Sequence, residues 1–419
     1  YETPLGPWGG VTPSPFDRLV VVQDMQAELW NLEVRLASSL PGPLNYIVGA
    51  YHADRTLKVD SKGLAADPRT GEILMGEDPY LDRNATNDTT LSAVFGEVYY
   101  DVTDKVELLG GVRWFKTERD QFSNLVVPFL RSEIIGGPAG VETNTPASED
   151  DVIFKAQLTY RFDEDRSLYV QFSEGFRAGG VNAQITPTIP DSFESDQTQN
   201  IEVGLKSLWA DGRFLLNLAA YQIQWDNVQM KAAFTSQFNG LVNCTEQNDA
   251  IESNGIEVDM QYAFTDNLTA GLNFTQMDST WQVDADACVS PDIVAQLSDP
   301  LGAMAGDKLV GVPDFSGSAF AQYDWALGSG AAYVRADVQF QGEVDVNEPR
   351  PERNIPNPSY VFGNLKFGID WERYSAALYV RNVTDETAWL SLFNNFQQEN
   401  RVTVNQPRTI GVNFQMLFD

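Results

Sequence analysis

Histidine and cysteine are nearly absent from this chain of 419 residues, which contains one histidine, His52, and two cysteines, Cys244 and Cys288. A single histidine excludes a metal site built from several imidazoles and leaves little capacity for histidine acid–base catalysis. The sequence also lacks a Gly-x-Ser-x-Gly elbow and a His-Glu-x-x-His motif. We therefore expect no enzymatic activity, no cofactor and no catalytic metal ion.

Basic residues and long apolar runs are also scarce. The chain has 28 Lys and Arg residues against 59 Asp and Glu residues, which gives a formal net charge of −31. Such a surface repels nucleic acid, so nucleic-acid partners are excluded. No run of about 20 apolar residues exists, which excludes a membrane-spanning helix. It does not exclude membrane-spanning strands, because those alternate apolar and polar residues.

Alternation of apolar and polar residues is the pattern that the sequence does contain. In SLYVQFSEGFRAGGVN, Leu168, Val170 and Phe172 lie on one face of a predicted strand, and Gln171 and Ser173 lie on the other. The same period of two recurs in NIEVGLKSLW, NGIEVDMQYAF, NLTAGLNFT, AAYVRADVQFQ, VFGNLKFGIDW and RTIGVNFQMLF. Helical periodicity is nowhere as strong, so the sequence predicts an all-β protein.

Strand lengths and connections distinguish between two kinds of all-β protein. A soluble β-sandwich would also alternate, with its apolar residues inside. However, about fifteen predicted strands have roughly 10 to 13 residues, close to the length that crosses a bilayer. Short connections alternate with long ones, which include 57–88, 118–150 and 279–312. Aromatic residues near the strand ends favour a transmembrane antiparallel β-barrel whose apolar face meets lipid.

The charged residues on the opposite face agree with a wide, hydrated interior. They are Glu202, Lys206, Glu257, Asp259, Arg335, Asp337, Lys366 and Asp370. A barrel of about eight strands fills its interior with side chains and leaves no room for so many hydrated charges.

Several of these segments together resemble the barrel of TonB-dependent outer-membrane receptors, most of all the siderophore receptors. The segments are SLYVQFSEGFRAGGVN, QNIEVGLKSLWADGRFLLNLAAYQIQWDNVQ, NGIEVDMQYAFTDNLTAGLNFT, GNLKFGIDWERYSAALYVRNVTDETA and QPRTIGVNFQMLF. The resemblance implies a barrel of about 22 strands closed by an N-terminal plug. It identifies residues 1–419 as the C-terminal part of such a barrel, with the plug and about seven strands outside this chain. Residues 1–25 are expected to be an extracellular loop or strand extension, and residues 26–418 strands and loops.

The resemblance also implies a location and a function. The protein would be a multi-pass barrel of the bacterial outer membrane, in contact with lipid and lipopolysaccharide. It would import a scarce nutrient, an iron–siderophore complex first of all, with energy from the TonB complex acting through the N-terminal part. Two alternatives stay open: a passive porin-like diffusion channel and a soluble β-rich binding or adhesion protein.

Candidate site residues follow from where the loops are predicted. Phe176, Arg177 and Asn182 lie where a strand enters a long loop, so they are candidate ligand contacts at the extracellular mouth. Arg177 would hold a carboxylate or catecholate oxygen through paired hydrogen bonds. A solvated rim or lipopolysaccharide contact is the alternative for the same residues.

The remaining candidates are weaker. Cys244 and Cys288 fall in successive long loops and are expected to form a disulfide, with free thiols as the alternative. The acidic segment 283–292 lacks the ligand spacing of an EF-hand, and 302–308 lacks the spacing of a phosphate-binding loop. We predict no metal site in either segment.

Overall fold

A computed structural model describes residues 19–67, 69–128, 139–181, 192–233, 241–245, 249–286, 302–345, 356–394 and 400–418. In these residues no helix is long and apolar enough to cross a membrane. The strands in chain order are β1 Leu19–Ala37, β2 Leu44–Ala65, β3 Leu81–Thr103, β4 Val106–Val127, β5 Val141–Arg161, β6 Arg166–Arg177, β7 Gly180–Val181, β8 Ser192–Phe193, β9 Asp196–Trp209, β10 Phe214–Asp226, β11 Gln229–Ala233, β12 Leu241–Thr245, β13 Asp249–Ala263, β14 Leu268–Trp281, β15 Ala285–Asp286, β16 Gly302–Ala303, β17 Phe315–Leu327, β18 Gly330–Gln341, β19 Tyr360–Asp370, β20 Tyr374–Arg381, β21 Trp389–Asn394, β22 Asn400–Val404 and β23 Thr409–Met416.

One antiparallel sheet contains fifteen of the described strands. Its order is β1-β2-β3-β4-β5-β6-β9-β10-β13-β14-β17-β18-β19-β20-β23, so each strand pairs with its neighbours along the chain. The other eight strands form four two-stranded hairpins, β7–β8, β11–β12, β15–β16 and β21–β22, within the long connections. The all-β class and the number of about fifteen strands are therefore confirmed.

The pairing register aligns the two kinds of side chain on opposite faces of the sheet. One row across five strands consists of Leu168, Leu205, Leu218, Val258 and Phe274. The adjacent row consists of Ser167, Lys206, Asn217, Asp259 and Asn273. Because the side-chain period of a strand is two, this register keeps the apolar rows on one face of the sheet throughout. We call the apolar face the outer face and the polar face the inner face.

The first five strands are longer than the sequence predicted. They contain 19 to 23 residues rather than 10 to 13. Most of the expected long loops 57–88 and 118–150 are strand, and the connections shrink to 66–80 and 128–140. The prediction failed because it took the end of the apolar alternation as the end of the strand. Backbone hydrogen bonding continues past the membrane, where both faces carry polar residues.

We call this extension of four strands the wall. It begins at the row formed by Tyr51, Ala93, Phe115 and Asp151 and continues to the ends of β2 to β5 that lie farther from the membrane. At about 3.3 Å per residue, a strand of the wall rises roughly 35 Å above the apolar band. The outer face of the wall is polar, and its inner face includes buried Phe115 and Thr117.

A small apolar core lies among the long connections that follow β10 and β14. Its buried residues are Val228, Ala250, Ile251, Trp281 and Ala303. They come from the connection after β10, the start of β13, the end of β14 and the hairpin strand β16. These connections therefore pack on one another above the membrane rather than extending singly into solvent.

Candidate ligand-binding mouth

The candidate residues Phe176 and Arg177 lie at the end of β6, where this strand separates from β5. Pairing between β5 and β6 ends at Lys155 and Ser173. Pairing between β6 and β9 continues to Arg177 and Asp196. Beyond this point the strands no longer exchange backbone hydrogen bonds. The Phe154 amide of β5 instead donates to Glu174 Oε2 of β6 at 2.9 Å.

Phe176 packs inside the wall, although strand alternation alone would place it outside. It shares a face of β6 with Leu168 and Val170, which point outward. Its ring nevertheless stacks on the ring of Phe115, with centroids 3.4 Å apart and planes at 5°. Phe115 belongs to the inner face of β4 and is 1% exposed. The end of β6 therefore lies inside the wall and forms a second layer against it.

Arg177 is held in a network of polar contacts. Its Nε donates to Asp196 Oδ2 at 2.9 Å, its Nη2 donates to the same oxygen, and Nη2 also donates to the Gln229 carbonyl at 3.2 Å. The guanidinium lies over the Trp225 ring, 5.3 Å from its centroid. Asp196 is 2% exposed, so its charge depends on Arg177 for compensation. Arg177 is thus fixed in place, with part of its hydrogen-bonding capacity already used.

The Gln229 side chain joins this network to the hairpin that follows β6. Its Nε2 donates to the carbonyls of Arg177, Ala178 and Glu194 at 2.9, 3.1 and 3.1 Å. The Asp196, Trp225 and Gln229 contacts were not predicted from the sequence. They come from three separate strands and carry no local motif, so only the pairing of β6, β9 and β10 and the position of the hairpin strand β11 bring them to Arg177.

Two glycines dock the start of this hairpin on the wall. The Gly179 amide donates to Glu149 Oε1 at 2.7 Å. A Cβ atom on Gly180 would lie 2.5 Å from the Phe193 ring and 2.7 Å from Arg119 Nη1, so these side chains would have to shift to admit it. The AGG of the segment SLYVQFSEGFRAGGVN thus allows the backbone to approach β4 and β5 closely.

The other candidates remain predictions. Asn182 and Cys288 lie outside the described residues, and Cys244 lies in β12 opposite Met230. The expected disulfide is therefore untested. In the described part of the chain, no group of three or more His, Cys, Asp or Glu residues is placed to hold a metal ion. His52 lies on the outer face, where its ring nitrogens contact Ser92 Oγ at 2.9 Å and Asp54 Oδ2 at 3.2 Å.

A single antiparallel sheet with an apolar outer face and a charged inner face defines the class of outer-membrane barrel proteins. The family model "TonB dependent receptor-like, beta-barrel" matches residues 12–383. The chain belongs to this family, whose members are outer-membrane proteins.

Individual relatives agree with the family. The pesticin receptor of Yersinia pestis is 20% identical over 362 residues, covering 81% of this chain and 46% of the relative. The rhizobactin receptor of Rhizobium meliloti (strain 1021) is 28% identical over 154 residues, covering 32% of this chain and 20% of the relative. The crystal structure of the ferric yersiniabactin uptake receptor FyuA from Yersinia pestis has a TM-score of 0.76 at 18% identity, covering 96% of this chain and 56% of that structure. The chain thus spans about half the length of the longer matches, and the structural likeness shows the fold.

Proposed function

We propose that this protein is an active outer-membrane receptor that binds and imports an iron–siderophore complex. The observation that carries the proposal is the second layer of structure that packs inside the wall at the mouth of the barrel. The end of β6 and the following hairpin are fixed against the wall by Phe115 and Glu149, and Asp196 of β9 holds Arg177. A receptor needs such fixed extracellular residues to bind a dilute ligand, because a preorganised site loses less entropy on binding. A simple diffusion pore has no such requirement.

The candidate residues have distinct proposed roles at this mouth. Phe176 would act through Phe115, by holding the end of β6 inside the wall. Arg177 would present its outer edge to an oxygen of the ligand, because Asp196 and Gln229 fix its orientation. The expected contact of Asn182 and the expected disulfide between Cys244 and Cys288 belong to the same proposal and would restrain the neighbouring loops.

The partners are proposed from the family. TonB would supply energy through a plug domain and a TonB-binding segment, which the family places N-terminal to the barrel. The outer face of the apolar band would contact lipid, and the polar outer face of the wall would contact lipopolysaccharide. The receptor would move its ligand unchanged, without catalysis. No specific siderophore is assigned.

The proposal is tested by iron uptake in the native bacterium. Deletion of the complete gene is expected to abolish growth on one ferric siderophore as the sole iron source, and the gene supplied on a plasmid should restore it. The same loss in a strain without TonB is expected for active import. Uptake that persists without TonB, and that rises linearly with ligand concentration, would instead identify the passive channel.

A further inference from the structure

Three arginines on the inner face of the wall have no ion pair with any other described residue. Arg55 lies opposite Thr89, and Thr89 lies opposite Arg119, so the two arginines flank one threonine in a row across β2, β3 and β4. Because neighbouring strands are about 4.8 Å apart, their Cα atoms are roughly 10 Å apart. Arg83 lies on the same face of β3, six residues from Thr89 and closer to the outer end of the wall.

Most other described arginines have a carboxylate within 4 Å. The pairs are Arg35–Glu33, Arg69–Asp67, Arg161–Asp101, Arg161–Glu107, Arg166–Asp163, Arg177–Asp196, Arg213–Asp266, Arg335–Asp337 and Arg408–Asp385. Within the described residues, Arg55, Arg83 and Arg119 have no such pair. In a chain with a net charge of −31, an acidic neighbour would be easy to supply. Among the described residues, the positive charge of these three arginines is therefore not neutralised by contact.

Burial strengthens the effect of this charge. The Nε atoms of Arg83 and Arg119 are buried and have no hydrogen-bond acceptor in the part of the chain that the structure describes. Burial lowers the pKa of both arginines, and the positive charge of Arg55 lowers the pKa of Arg119 further. Both nevertheless remain charged at neutral pH, because the guanidinium does not lose its proton in proteins. Charges held in a partly dry site act over longer distances than charges in water.

Glu149 is the acidic group that faces Arg119 across the strands. It raises the pKa of Arg119, but less than burial lowers it. One of its oxygens, Oε1, is occupied by the Gly179 amide. Asp151 lies two residues further along β5 on the same face, and its Oδ2 accepts a hydrogen bond from Gln197 Nε2. These carboxylates serve the docking of β9 and the hairpin, so they offset the arginine charge only in part.

The basic surface continues toward the membrane. Six residues below Arg119 on the same face of β4, Arg113 lies over the rings of Tyr51 and Phe95, 5.9 and 5.7 Å from their centroids. Arg113 also has no carboxylate within 4 Å among the described residues. Arg83, the Arg55–Arg119 pair and Arg113 thus occupy three levels about 20 Å apart along the inner face of these strands, with Arg113 just below the start of the wall. We call these four residues the arginine track.

We propose that the arginine track binds anionic ligands and draws them from the outer end of the wall toward the barrel interior. The inference rests on the proposed function and narrows it: the ferric complex would carry net negative charge, through carboxylate or phenolate oxygens. Guanidinium groups bind such oxygens through paired, charge-assisted hydrogen bonds. A positively charged or neutral ferric complex would gain nothing from the track.

The test measures ligand binding by the full-length protein purified from the outer membrane in detergent. The probes are iron-free citrate, ferric citrate and a cationic ferric trihydroxamate. Calorimetry at low and at physiological salt measures the affinity of the protein for each probe. The variant with Arg55→Gln and Arg119→Gln should bind both citrate probes roughly tenfold to hundredfold more weakly. A matched Arg213→Gln variant, altered at a turn at the opposite end of the sheet, should bind like the wild type. The variant with both arginines changed to lysine should lose less affinity than the glutamine variant, because lysine keeps the charge but not the paired hydrogen bonds; this distinguishes lost charge from lost folding.

The outcomes separate the inference from the proposed function. Citrate binding that is equal in the wild type and the glutamine variant would overturn the inference, as would a complete absence of citrate binding. TonB-dependent import of the cationic trihydroxamate but not of anionic complexes would also overturn the inference, while the receptor function stands. Arginine-dependent citrate binding without any TonB-dependent iron uptake would support the track and overturn the proposed function.

Discussion

The four strands of the wall contain 21 to 23 residues, whereas the last five strands of the sheet, from β17 to β23, contain 8 to 13. The apolar outer band is nevertheless the same length in both regions. It covers Val106–Trp114 in β4 and Val361–Ile369 in β19, nine residues in each. Both bands match the roughly 9 to 11 residues that a tilted strand needs to cross a bilayer. The two regions therefore differ only above the membrane.

Above the band, the regions use their polar residues differently. In the wall, the sheet continues, and the end of β6 and the strand β7 pack on the inner face of β4 and β5. In the C-terminal region, the chain turns at once around buried Asn382. Its Nδ2 donates to the carbonyls of Glu386 and Gln406, and its Oδ1 accepts the Glu386 amide. A strand thus continues past the membrane where another segment covers its inner face, and it ends where a side chain satisfies the turn.

Removal of the contact between the two layers should have the largest effect on stability. Phe115→Ala deletes a ring that is 1% exposed and stacked on Phe176, so we expect a loss of about 3–5 kcal/mol in the free energy of unfolding. Phe122→Ala, on the outer face of the same strand and 39% exposed, should cost about 1 kcal/mol or less. Denaturant unfolding in detergent measures both. Equal losses would mean that the wall does not depend on its inner layer.

A charge on the outer face should locate the boundary between membrane and wall on a single strand. Val112→Lys places an ammonium group inside the apolar band of β4, and we expect a loss of about 2 kcal/mol. Phe122→Lys lies on the same face of β4, opposite Thr86 and Asn144, and should change stability by less than about 0.5 kcal/mol. The measurement is unfolding of the protein folded in lipid vesicles. A larger cost at Phe122 than at Val112 would place the bilayer around the wall instead.

The sequence predicted the parts of the fold that depend on alternation. The rows through Leu205 and Lys206 keep one period across many strands, so the strand number and the two faces could be derived. The wall could not, because segments such as DRNATNDTT are polar on both faces and resemble loops. Their strand structure depends on pairing with distant neighbours, which a single segment does not reveal.

The site was predicted only in part, for a related reason. Alternation placed Phe176 and Arg177 correctly at the end of a strand, but the separation of β6 from β5 turns Phe176 inward. Nothing in the sequence spacing links Arg55 to Arg119, which are 64 positions apart and meet through Thr89. The arginine track therefore becomes visible only once the register is known.

Pairs of a glycine and an aromatic ring are common to both regions and should show the smallest difference between them. On the inner face, the ring of Phe95 covers Gly49 in the strands of the wall, and the ring of Tyr333 covers Gly368 in the C-terminal region, each directly across a strand pair. Gly49→Ala and Gly368→Ala would each force a Cβ into an aromatic ring, so we expect similar losses of about 1–3 kcal/mol. Gly110→Ala on the outer face has open space around it and should change stability by less than about 0.5 kcal/mol.

Denaturant unfolding of the three glycine variants in detergent, side by side, gives the comparison. Two similar losses and one near-zero change would mean that these pairs stabilise the sheet independently of strand length. A loss at Gly49 without one at Gly368 would show that the short C-terminal strands relax around the added methyl group. Strand length would then affect stability within the membrane as well as above it, because the longer strands β2 and β3 hold their backbone more firmly.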